Sequence, residues 1–201
     1  MVRSMVAPVS EPIVFQGAVE GLRRAFGARL TPQVAEQLRA IGINFDKLQA
    51  AYPVGAWFKA LEIAATALAS GLPLEARFRA VGRMFILGYV ETPMGFAVAT
   101  ACKVIGVKRT MLRMGRNFST ASNYMEVEGR DVGPKEVQLR CFVKDGAYSE
   151  ALHDERGAAA LAGYRQGVLE GVLEVLKVPG TVEVMSGDVA RHDFTFRVTW
   201  P

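Results

Sequence analysis

Histidine and cysteine are scarce in this chain of 201 residues, two of each, and no long hydrophobic run is present. Cys102 and Cys141 form no disulfide framework and point to a reducing compartment. Neither Cys-x-x-Cys nor any zinc-ligand spacing occurs, so a structural metal is not expected. The longest uncharged run, Ile63 to Leu74, is 12 residues and contains Gly71 and Pro73, too short to span a bilayer. The first residues, Met1 to Pro8, lack the apolar region of a signal peptide, and a cytoplasmic location is expected. Phosphate-binding glycine loops are missing, in both the Gly-x-x-x-x-Gly-Lys-Ser/Thr and the Gly-x-Gly-x-x-Gly forms, as is the Gly-x-Ser-x-Gly elbow of hydrolases. No catalytic constellation remains, and an enzyme is unsupported by the residues.

What is present is the composition of a globular protein: 50% hydrophobic, 22% charged, net charge +4. At this length one α+β domain over 1–201 is expected, burying roughly 70% of its unfolded surface. Its two lobes have different periods. From about 18 to 118 the apolar residues recur at helical spacing, as in Val54, Trp57, Phe58, Leu61, Ala64, Ala65 and Leu68. Thr31-Pro32 and Thr92-Pro93 each place a capping hydroxyl before a proline that needs no N–H. The spacing predicts helices near 18–27, 32–41, 53–70, 74–90, 94–105 and 107–116.

From about 122 to 201 the period is two. Val137, Leu139, Cys141 and Val143 alternate with Gln138, Arg140 and Phe142, and Phe194, Phe196, Val198 and Trp200 alternate with Thr195, Arg197 and Thr199. Shorter strands are expected at Tyr124–Glu128 and Thr181–Met185, with a helix from about Gly157 to Val178 between the pairs. The fold class is therefore α+β, a helical half followed by a ββαββ antiparallel unit.

Three features stand out. Gly163, Gly167 and Gly171 share one helix face, and each weakens a helix by about 1 kcal/mol relative to alanine. Either close packing on the sheet or space for a ligand offsets that loss. Arg83 is a lone arginine in the apolar stretch Gly82 to Tyr89. It would anchor an anionic group if buried, or run its stem along apolar surface with its head in water. Trp57 and Tyr89 would line the same cavity or belong to plain core. Finally, Lys103, Lys108, Arg109, Arg113 and Arg116 fall between Thr92 and Met125 without one acid among them. Phe96 to Arg113 has the rhythm of a helix-turn-helix about Gly106, with Lys108, Arg109, Thr110 and Arg113 on or near the groove side; a solvated basic face is the commoner origin of such a run. His153-Asp154-Glu155 and His192-Asp193 read as turns rather than ligand sets, and Cys141 as a buried thiol.

Gly82-Arg83-x-Phe85-x-x-Gly88-Tyr89-x-x-Thr92-x-x-Gly95, with Asn117-Phe118, Asn123-Tyr124 and Phe196-Arg197-Val198-Thr199-Trp200, resembles a myxobacterial paralogous family of unknown function. Val19-Glu20-Gly21-Leu22 and Tyr52-Pro53-x-x-x-Trp57 fit it too. More remotely, the order of elements is similar to vinyl-reductase-type and haem–nitric-oxide-binding domains. That similarity implies a small-molecule sensor or a dimer-forming subunit with a lipid pocket. It does not bring haem or zinc ligands: the proximal histidine, the Tyr-x-Ser-x-Arg signature and the cysteine cluster of those domains have no counterpart here.

The expectation is a non-enzymatic sensory or scaffold domain without cofactor or metal, binding a small apolar, acidic or lipid-like ligand between helical lobe and sheet. Trp57, Arg83, Tyr89, Gly163, Gly167 and Gly171 are its wall. The alternatives are a DNA-binding regulator using Lys108, Arg109 and Arg113, and a homodimeric interaction subunit without ligand.

Overall fold

The computed structural model describes residues 11–144 and 155–201, without the side chains of 155–159. His153, Asp154 and the Glu155 side chain of the cluster at 153–155, like the first ten residues, lie outside what is described. A short strand β1 (Ile13–Phe15) leads into α1 (Gln16–Phe26), a 3₁₀ turn, α2 (Pro32–Ala40) and strand β2 (Ala51–Pro53). Then come α3 (Val54–Ala69), α4 (Leu74–Tyr89), α5 (Pro93–Ile105), α6 (Val107–Leu112) and α7 (Met114–Phe118). The second half is β3 (Met125–Gly133), β4 (Glu136–Val143), α8 (Glu155–Val175), β5 (Thr181–Asp188) and β6 (Asp193–Thr199).

The α+β class and the ββαββ order stand as read, and both threonine caps form. Thr31 Oγ1 accepts from Val34 N at 3.3 Å, and the buried Thr92 Oγ1 accepts from Gly95 N at 3.1 Å. Gly106, at φ 81°, turns the chain out of α5. The expected helix 107–116 is instead two short ones, because Arg113 leaves helical geometry at φ −102°, ψ 9°. The expected short strands run longer, and the β3–β4 hairpin turns at once through Pro134 and Lys135. Strands β1 and β2 are three residues each, too short for any period to declare them. They pair antiparallel, and Val14 bridges to Ser122.

The main sheet is antiparallel in the order β3-β4-β6-β5. Its buried face carries Val137, Leu139, Cys141, Phe194, Phe196 and Val198, the residues the alternation selects. The opposite face is laced with ion pairs, Arg140 with Asp193 and Glu128, and Arg197 with Glu136 and Glu183. Helix α8 lies between α4 and the sheet. The glycines at 163, 167 and 171 meet α4, not the sheet: a Cβ on Gly163 would lie 2.6 Å from the Glu75 carbonyl oxygen, and one on Gly167 would overlap that of Arg79. Gly82 answers from α4, where a Cβ would overlap the Tyr164 carbonyl oxygen. The two backbones touch, and that contact is what the glycines leave room for. One continuous buried cluster runs through the helices and the inner sheet face.

A candidate ligand cavity between the helices

Helices α4, α5, α7 and α8 frame a partly open cavity of about 80 Å³. Its walls are Phe85, Ile86 and Tyr89 of α4, Ala99 and Cys102 of α5, Met114 and Phe118 of α7, and Val168 and Val172 of α8. The wall exists because α4 turns through 94° into α5 at the Thr92 cap, which lays α5 across the C-terminal part of α4. Thr92 makes that bend tight by donating its hydroxyl to Tyr89 O at 2.7 Å while capping α5. Gly95 sits against the Tyr89 carbonyl, where any Cβ would overlap.

Tyr89 is the residue of most chemical interest. It is 8% exposed, stacks on Phe85 at 5.9 Å between ring centroids, and its hydroxyl has no hydrogen-bond partner among the described residues. A buried hydroxyl without a partner carries its full desolvation cost of about 1–3 kcal/mol. The other polar side chains on the wall are engaged. Thr110 donates its hydroxyl to Cys102 O at 3.1 Å, and the Asn117 amide donates to Cys102 Sγ at 3.7 Å.

Of the expected wall, Tyr89 alone lines this cavity. Trp57 is core, edge-on to Phe85 at 5.7 Å. The three glycines are filled by the α4 backbone. Arg83 is not buried: its side chain is 56% exposed and pairs with Glu174 at 2.6 Å, one turn beyond the Arg79–Glu170 pair. These pairs line a separate, open depression on the outer side of α4 and α8. The lone arginine therefore takes the snorkelling alternative, because it faces away from the core.

Among the described residues the buried arginine is Arg165, 3% exposed on α8. It donates to Cys141 O at 3.2 Å and His192 O at 2.8 Å, and lies over the Phe194 ring. Beside it, Gln166 donates to Val182 O at 2.7 Å. These two residues pin α8 to the sheet. Burial pushes the Tyr124 phenol up to about 12 and the Cys141 thiol up to about 12, against the opposing charge of Arg165. An inert, buried thiol at Cys141 follows. Sequence reasoning passed over Arg165 because it sits within the glycine series, where only the glycines drew notice.

The helix-turn-helix expectation is corrected in one respect. Thr110, placed on the groove side, is fully buried, and α6 is only six residues long with Met111 also buried. Lys108 pairs with Asp131 at 2.8 Å, while Arg109 and Arg113 are exposed. Among the described residues, no group of acids, histidines and cysteines is arranged to hold a metal ion.

Residues 12–201 match the model of a family described as a protein of unknown function, DUF2378. The chain belongs to that family. None of the curated proteins matches it. Among solved structures it is similar to H-NOX domains. One, an H-NOX protein from S. oneidensis in the Fe(II) ligation state, aligns at TM-score 0.64 and 11% identity over 93% of this chain and 96% of that one. An oxygen-binding H-NOX domain related to soluble guanylate cyclases aligns at 0.59 and 15%, over 92% and 91%. A third, from work on haem distortion in H-NOX proteins, aligns at 0.61 and 12%, over 92% and 94%. At these identities the likeness is one of fold.

Proposed function

We propose that this DUF2378 chain is a non-enzymatic sensory domain that takes one small, mainly apolar molecule into the cavity under α5. The observation that carries this reading is the apolar wall, to which four helices contribute Phe85, Ala99, Phe118 and Val172. Apolar burial supplies the affinity, and the shape of the wall selects among small molecules. A cavity of about 80 Å³ is below the ~300 Å³ at which drug-sized pockets begin. The fitting class is therefore a gas or a molecule of a few heavy atoms. The H-NOX likeness in fold supports a ligand-sensing role.

The wall does not suit a haem. Among the described residues no histidine lines it and no arginine or lysine stands there to meet propionates, and its volume is far below that of a porphyrin. An acidic ligand loses its anchor too, since Arg83 faces solvent.

Native mass spectrometry of the protein purified from its own host, beside the denatured mass, tests the reading. The expected result is a small excess mass on the folded chain, kept in Arg83→Leu and lost in Val172→Phe. A clean polypeptide mass, together with no response of the cavity methyl groups to pressurised xenon, would overturn it.

A further inference from the structure

We propose that the outer face of α5 docks the protein onto an anionic lipid bilayer. The helix buries one side, Gly95, Ala99 and Cys102, over the cavity. On the other side Phe96 is 67% exposed, Val104 82% and Met94 54%. A single exposed apolar side chain is ordinary, but three large ones on one helix are not. Ala97 and Ala101 fill the spaces between them, and Thr100 turns its hydroxyl back to Phe96 O at 2.8 Å. The one charge on this face is Lys103.

Charge complementarity names the occupant. From Thr92 to Met125 there is no acid. Lys103, Arg109, Arg113 and Arg116 are all exposed, and among the described residues none of them has an ion-pair partner. Elsewhere Arg79, Arg83, Arg140 and Arg197 sit in ion pairs, whereas this stretch of chain supplies no acid of its own. Exposed apolar residues with Lys103 on the same helix, followed by a stretch of exposed cations without acids, suit a surface that is apolar below and anionic above. A second copy suits it poorly, because a two-fold contact would set the same cations against each other. Nucleic acid would use the cations and leave Phe96 and Val104 without a role. The docking surface is separate from the cavity and stands whether or not a ligand fills it.

The test is flotation of the full chain with vesicles of phosphatidylcholine alone, and of phosphatidylcholine mixed with phosphatidylglycerol. Binding is expected on the anionic vesicles alone, weakening as salt screens it. Phe96→Ser is expected to weaken it about tenfold or more, and Lys103→Gln and Arg109→Gln about fivefold each. All three sites are exposed, and an unchanged thermal melt would show that the variants fold. Absence of flotation with anionic vesicles at low salt would overturn the proposal. So would flotation that Phe96→Ser leaves unchanged, or a dimer in solution that Val104→Ser dissociates.

Discussion

Helix α4 is packed in two different ways along its length. Toward α8 its first three turns are sealed: Gly163 and Gly167 let backbone touch backbone, Gly82 returns the contact, and the Arg79–Glu170 and Arg83–Glu174 pairs close the rim. At its C-terminal end Gly88 still seals against Gly21 of α1, and Gly95 against the Tyr89 carbonyl. Past that bend, where α5 crosses, the layer is looser, with a cavity beneath and bare apolar residues above. A contact between backbones has no slack, because nothing in it can change rotamer. A contact made of Val, Ala, Met and Phe side chains has slack, and there a cavity persists. The rigid half of α4 holds the fold, and the slack half offers room for a ligand.

The largest effect should come from breaking the sealed side. Gly167→Val should cost about 3 kcal/mol or more, since its Cβ meets a carbonyl oxygen rather than a flexible side chain. Urea unfolding measures this, and a cost below about 1 kcal/mol would mean that the helices are not in backbone contact.

Alkali should come next, acting on the sheet side of α8. Tyr124 keeps its proton to about 12 when folded, against an ordinary value of 10.0. The unfolded chain therefore loses that proton first. The Tyr124 contribution is complete below pH 10 and falls between 10 and 12, by about 2 kcal/mol. Cys141, with an ordinary value of 9.0, adds a loss of the same sign from about pH 9 upward. Chemical denaturation across that range checks the sign.

The loose side should respond the other way to added volume. Val172→Phe, which fills the cavity, is expected to be neutral or to stabilise by about 1 kcal/mol. The same change at Val137, fully buried in the sheet core, should cost about 1–3 kcal/mol. Equal costs at both positions would erase the contrast. Smallest of all, Arg83→Leu should alter stability by no more than about 0.5 kcal/mol, as its ion pair is solvated.

The fold was largely legible because alternation and helical spacing are direct records of which face is buried. Phe194, Phe196 and Val198 are inside where the period puts them, and the threonine-proline caps open the helices they announce. The site was less so. A cavity is a gap between elements distant in sequence, Val168 and Ala99 among them, and no local pattern records a gap. Arg83 misled because an apolar neighbourhood in sequence says nothing of which way one helix face points. Several residues that carry the family resemblance are packing devices: Gly82 lies against Tyr164, Gly88 against Gly21, and Thr92 caps the bend. They explain the shared architecture and leave the ligand unnamed.

As proposed, the space under α5 is a usable site rather than an accident of packing. Methyl NMR of the full chain under xenon pressure tests it most directly. The account predicts saturable shifts grouped at Val98, Ala99, Val168 and Val172, absent in Val172→Phe, with Val137 and Val198 unmoved. Shifts spread evenly over core and cavity methyls, or none at all, would contradict it.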